Sequence, residues 1–462
     1  MRLLVKAPMT GIFFALILGV ALSEKFSNLY LIFMTPFLLA SVLFLTYERD
    51  FKSQYKIFAL MIIFSILCSM RVYAVLNEPP KNSKIFKSET GIITQVRQWG
   101  KFYVAILKTR SGNYLLNIPF ANYVEGMRIK FDGVTRNFKA VNNQNSFDEF
   151  KYWRARGVEA KISISNVENL EAKFNLYRLR YLISRWLSIN TPNLTGLYLK
   201  AALLGERDRD LNSKHSRWGT SHLLAVSGFH VGIVILCASV FIKNNFLLSL
   251  ILWSYVLLTG AAASTLRAAL MLQTGIIAKN LGRPMQNINS VSVAGVLLIL
   301  NSPYIFWDVG YRLSVIAALT ITAIKERADF WKISILVFLT TCAEVTSVFK
   351  TVPFAGVIIN FFAPLYFAIA FLLASLGALM FYLKIPLAIM LLNSVENLFK
   401  LYERISDFIV KIFPLQIHHH EIFEILSIFL LINLILNKLE FSRRREFFIT
   451  ILILPAIYFL LK

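Results

Sequence analysis

The run SHLLAVSGFHVGI, Ser221 to Ile233, holds six residues that do chemistry or permit close approach, set among apolar neighbours: Ser221, His222, Ser227, Gly228, His230 and Gly232. Read as one transmembrane helix, it places His222, Val226 and His230 on a single face at i, i+4 and i+8, with Ser227 three residues before His230. Gly228 and Gly232 make a G-x-x-x-G pair, whose bare backbones let another helix come close. A polar group in hydrocarbon costs kcal/mol unless it faces protein or water, so the pattern predicts a site or a pathway and not a lipid-facing helix. A serine nucleophile with a histidine base is one chemistry open to this pair. Spacing at i, i+3 sets the imidazole beside the hydroxyl, and no G-x-S-x-G elbow is present, so a hydrogen-bonded helix crossing and the lining of a polar path fit better.

Further along, Arg267 follows Ser264 just inside an apolar run, where it can snorkel to an interface or guide an anion. Asp308 and Arg312 stand at i, i+4 with the acid first, so they can pair on one helix face or leave the guanidinium to meet phosphates. Glu344 would then partner Arg267 or Arg312. His418, His419 and His420 are consecutive; on a helix their side chains point about 100° apart and cannot close on one metal, so no metal or cofactor is expected.

The elements that must hold these residues follow from composition. With 462 residues, 56% hydrophobic, 39 Phe and 16% charged, and mean hydropathy +0.60, the chain reads as a polytopic α-helical membrane protein. Apolar spans fall near 8–22, 29–46 and 57–76, then near 221–242, 246–262, 264–281, 288–302, 306–324, 333–349, 351–382, 422–437 and 447–461, with a short run at 385–393. The first reads as a retained helix and not a cleaved signal, because the second starts almost at once. Cys68, Cys237 and Cys342 sit inside spans without pairing or metal spacing, as packing residues do. Lys and Arg between alternate spans put the N-terminus in the cytoplasm and residues after 76 outside. The segment 394–413 is charged on one side and apolar on the other, and is expected to lie at an interface.

From Pro79 to about Val167 the character is different. GIITQVR, KFYVAILKT, NYLLNIPF and MRIKFDGVT alternate between Gly, Asn and Ser turns, the signature of a small inserted β-barrel of OB type. Residues 81–170 carry 15 Lys plus Arg against 7 Asp plus Glu, and the whole chain carries +23. Arg97, Trp99, Lys101, Tyr103, Lys108 and Arg110 alternate cation with aromatic, as a single-strand nucleic-acid surface does. The same aromatics, with Tyr114, Phe120 and Tyr123, equally suit a barrel core. The divisions expected are 1–78 N-terminal helices, 79–170 extracytoplasmic barrel, 171–220 amphipathic helical connector, and 221–462 the main helical domain.

LKAALLGERD from Lys200, SHLLAVSGFHV, STLRAALM from Ser264, WDVGYRLSVIAA from Trp307 and the Asn360…Ala363-Pro364-Leu365 stretch resemble the competence domain of the ComEC family, and NSFDEFKYWRARGVEAKI from Asn145 resembles the end of that family's periplasmic OB domain. The resemblance runs over roughly residues 25–440. It implies a channel of the bacterial inner membrane that passes one DNA strand inward during natural transformation. It also implies a path drawn from His222, Ser227, Gly228, His230, Arg267, Asp308, Arg312 and Asn360. Expected partners are single-stranded DNA, membrane lipid, a periplasmic DNA receptor, a separate nuclease and a cytoplasmic DNA motor. Many members add a metallo-β-lactamase-like domain; the H-x-H-x-D-H signature is missing up to Lys462, so no nuclease activity is expected. The competing reading, a secondary transporter of a small anionic solute, calls for inverted repeats and broken helices meeting at the midplane.

Overall fold

The computed structural model describes residues 8–25, 36, 51–78, 83–99, 102–118, 123–138, 147–171, 173–324 and 329–438, and divides into two compact units, Met1–Asn77 with Leu197–Lys462, and Glu78–Gly196. The spans expected at 29–46 and 447–461 lie outside the described residues, as does Lys101.

In the smaller unit, β1 (Ile85–Trp99), β2 (Phe102–Thr109), β3 (Gly112–Ile118), β4 (Arg128–Arg136) and β5 (Val158–Leu170) form a closed barrel in the order β1-β2-β3-β5-β4. The 15-residue β1 is long enough to pair with β2 at one end and β4 at the other, which closes the sheet. All pairings are antiparallel except β3 with β5, parallel over Asn113–Leu116. Strand alternation sends Ala105, Leu107, Tyr114, Leu116, Ile129 and Phe131 inward. The opposite face of β2 and β3 is apolar too, at Val104 and Leu115, because a short helix, Glu149–Arg154, covers it with Trp153 buried against it. Asp148 caps that helix through the Lys151 N–H. The amphipathic helix Leu176–Asn190 belongs to this unit: Asn175 donates to the Gly126 carbonyl at 3.0 Å, and Arg180 meets Glu125 at 3.8 Å with both side chains buried.

Numbered in chain order, the helices are α1 (Pro8–Lys25), α2 (Phe51–Leu76), α3 (Glu149–Arg154), α4 (Leu176–Asn190), α5 (Asn193–Leu204), α6 (Arg209–Arg217), α7 (Ser221–Leu224), α8 (Gly228–Phe241), α9 (Asn245–Leu258), α10 (Ala263–Asn280), α11 (Asn287–Asn301), α12 (Val309–Ala323), α13 (Phe330–Phe349), α14 (Ala355–Tyr382), α15 (Ala388–Ile412) and α16 (Glu421–Lys438). Among the described residues, three are long and apolar enough to cross a membrane, in windows Ala59–Leu76, Trp331–Phe349 and Ala355–Tyr382. Six apolar helical segments of 10–17 residues are shorter than expected; the 14 residues of α8 span only about 21 Å against about 30 Å of hydrocarbon. One core cluster joins α1, α2, α11 and α12 around Phe13, Leu16, Val291 and Tyr311. Gly295 is where Phe13 lies against α11, since a β-carbon there would run into its ring.

Candidate functional site

The run from Ser221 is not one helix. α7 stops at Leu224, Ala225 and Ser227 are extended (ψ 134° and 172°), and α8 begins at Gly228. His222, Val226 and His230 therefore do not share a helical face. Ser227 starts α8 as its N-cap, with its backbone N–H donating to His230 Nδ1 at 3.4 Å and its Oγ 3.3 Å from the same nitrogen. Ser227 and His230 thus form a capping box at the start of α8. The imidazole is buried, edge-on to Phe371, whereas His222 is exposed. The break frees the Val226 carbonyl, which accepts from Ser264 Oγ at 2.7 Å.

Across the break stands Arg267 on α10, 7% exposed. Its Nε donates to Ser314 Oγ at 2.8 Å and its Nη1 lies 3.2 Å from Met271 Sδ. A β-carbon on Gly228 would sit 3.5 Å from Arg267 Nη2 and 3.3 Å from Ala268 Cβ, so Gly228 is the close approach. Gly232 faces open space, and the G-x-x-x-G pair does not act as a unit. Among the described residues no carboxylate reaches Arg267; it is a buried cation held by neutral partners. Arg312 pairs with Glu344 of α13 at 2.9 Å, one of the two arrangements expected for that acid. Asp308 is the N-cap of α12, accepting from the Tyr311 N–H at 2.9 Å. Asn360 donates to the Gly219 carbonyl at 3.2 Å and so pins the turn between α6 and α7 to α14.

Sequence reasoning missed the buried cluster beside that turn. His215 is fully buried, with Nε2 2.8 Å from the Tyr198 hydroxyl and Nδ1 2.9 Å from Thr220 Oγ1. Burial pushes its pKa down to about 3, so the ring is neutral. Trp218 donates to Asp407 at 2.8 Å and Lys214 meets Glu403 at 2.7 Å, tying α6 to α15. Gly219, at φ +71°, packs against Gly356, where a β-carbon would come within 3.0 Å of the opposing Cα. The signal was there: Leu211, His215 and Trp218 recur at i, i+4 and i+7 in a run otherwise read as a connector. His418 lies in a strand (Gln416–His418) paired with Thr351–Pro353, not on a helix, and His419 Nε2 faces Glu424 at 3.7 Å.

On the barrel, Arg97, Lys108 and Arg110 are exposed. Tyr103 and Tyr123, half-buried, pack on the barrel core and Tyr114 is within it. The Trp99 side chain and Phe120 lie outside the described residues, while Phe102, beside the β1–β2 turn, is 65% exposed. A cleft of about 600 Å³ opens where β3 parts from β5, lined in part by Asn117, Arg136, Lys161 and Ser163.

The profile of the family described as Competence protein matches residues 203–442, which takes in the broken helix, Arg267, His215 and α15. The chain is also 29% identical over 211 residues to "ComE operon protein 3" of Bacillus subtilis (strain 168). That alignment covers 42% of this chain and 27% of the relative. No solved structure matches.

Proposed function

The chain belongs to the competence protein family, and from that premise we propose that it is an inner-membrane conduit through which one strand of DNA enters the cytoplasm. The observation that carries the reading is Arg267. A cation nine-tenths buried, without a carboxylate among the described residues, beside a break in a helix, is costly to keep unless an anion visits it. A phosphodiester is the anion that DNA uptake brings. The barrel supports the same reading, because its strand order suits an OB fold and Lys108 and Arg110 are exposed on its surface, where they can meet phosphates. On this reading the chain crosses the membrane several times and the barrel is outside.

The test separates surface-bound from internalised labelled DNA in a strain relying on this chain. Arg267→Gln should leave protein level and surface binding near normal while internalisation falls about tenfold or more, and Arg267→Lys should retain part of it. Unchanged internalisation in Arg267→Gln would remove the guanidinium from the path. The break at residues 225–227 also suits a carrier of a small anionic solute. Loss of phosphate-ester uptake with intact DNA entry would favour that second reading.

A further inference from the structure

α15 lies antiparallel against α14 over its full length. Leu392 meets Gly377, Phe399 and Tyr402 meet Phe367, Tyr402 meets Phe362, and Phe413 meets Phe354. The segment 394–413, expected at an interface, packs along α14. Where the 28-residue apolar α14 crosses a membrane, α15 passes through the same depth beside it.

Its acids are engaged by other helices: Glu396 is 7% exposed, Glu403 accepts from Lys214, and Asp407, itself exposed, accepts from Trp218. Asn393, Asn397, Lys400, Arg404 and Lys411 are exposed. At about 100° per residue these five fall within roughly 60° of one another, a single stripe. From Asn393 to Lys411 the rise is about 27 Å, close to the ~30 Å of a hydrocarbon core. Lys400 has Glu396 at 3.7 Å, and among the described residues Arg404 and Lys411 have no carboxylate partner. A second stripe, Leu401, Ile405, Phe408 and Ile412, is exposed and apolar, as a lipid-facing surface is. Cations at that depth facing acyl chains would cost kcal/mol, so their stripe needs water or an anionic occupant.

We propose that Asn393, Asn397, Lys400, Arg404 and Lys411 line the aqueous path, with the three cations taking successive phosphates of a single DNA strand. Along the axis Lys400 and Arg404 are about 6 Å apart and Lys411 about 10 Å further, a ladder on which a polyanion moves by exchange between cations. This inference rests on the conduit reading above.

Two measurements test it in the full-length chain. A photo-crosslinking residue at Asn397 should form adducts with labelled single-stranded DNA during uptake, and the same residue at Ile405 should not. The triple variant Lys400→Gln, Arg404→Gln, Lys411→Gln should cut DNA entry about tenfold or more with protein level and surface binding preserved. A triple variant that moves DNA at the wild-type rate overturns the stripe while leaving the conduit standing. So do Asn397 adducts confined to lipid or to a second copy of the chain, and these decide the matter if the triple variant fails to accumulate. A wild-type chain that brings no DNA across sinks the conduit reading and the stripe with it.

Discussion

Gly228 and Gly232 look equivalent in the sequence and are not equivalent in space. Leucine at Gly228 must displace Ala268 Cβ or the Arg267 guanidinium, 3.3 and 3.5 Å from where its β-carbon begins, and overpacking of that kind costs about 1–3 kcal/mol. Leucine at Gly232 meets nothing within 4 Å. Gly228→Leu should therefore lower the amount of folded protein and its thermal midpoint, while Gly232→Leu should leave both near wild type; equal effects would mean that the pair packs as a unit after all. His215 gives a second prediction, set by its buried, neutral ring. Its folded pKa, about 3, lies below the ordinary 6.5, so between those values the unfolded chain binds a proton that the folded chain refuses. The contribution of His215 is complete above about pH 6.5 and is lost as pH falls from there toward 3. His215→Gln should destabilise at pH 8, by about 1–3 kcal/mol for the mismatched Tyr198 and Thr220 hydroxyls. The gap between wild type and variant should then shrink on acidification, and a gap independent of pH would show that the ring is not held neutral.

At the scale of elements, the alternating segments between Gly91 and Thr135 were legible as strands because strand period and turn residues are local signals. The attachment of the helix that follows them was not. β5 continues to Leu170, with Lys130 opposite Glu168 and Arg128 opposite Leu170, and α4 closes over Gly126 through Asn175. These are long-range pairings that no local pattern announces. A fragment 78–196 should fold and unfold cooperatively, whereas 79–167 strips three ladder positions and the buried Arg180–Glu125 pair and should be markedly less stable in urea. Similar midpoints for both fragments would place α4 outside the unit. The break before α8 was half legible: a serine followed by glycine is a helix-start signal, but helical period continued across it and concealed the stop at Leu224. Tyr103 and Tyr114 show the other limit, since an aromatic beside a lysine reads the same whether its ring turns into the barrel or out of it.

For the molecule as a whole, the distribution of Lys and Arg between apolar runs sets an orientation that no packing contact can set, because it depends on insertion and not on the folded state. By that rule the barrel is expected outside the cytoplasm, and a single engineered thiol tests this. Gly112, in the β2–β3 turn, is a poor site for it: φ is +146°, and a β-carbon would lie 2.7–3.0 Å from the Glu159 carboxylate. Ser111 is exposed in the same turn and differs from cysteine by one atom. Cys68 and Cys342 are buried and Cys237 is half-buried, all as free thiols, so the measurement is made with the three replaced by alanine. Ser111→Cys should react with a membrane-impermeant maleimide in intact spheroplasts as fast as after lysis, because the exposed turn needs no unfolding to present its thiol. Reaction only after lysis would turn the barrel to the cytoplasm and reverse the direction in which Arg267 and the α15 stripe meet an incoming strand.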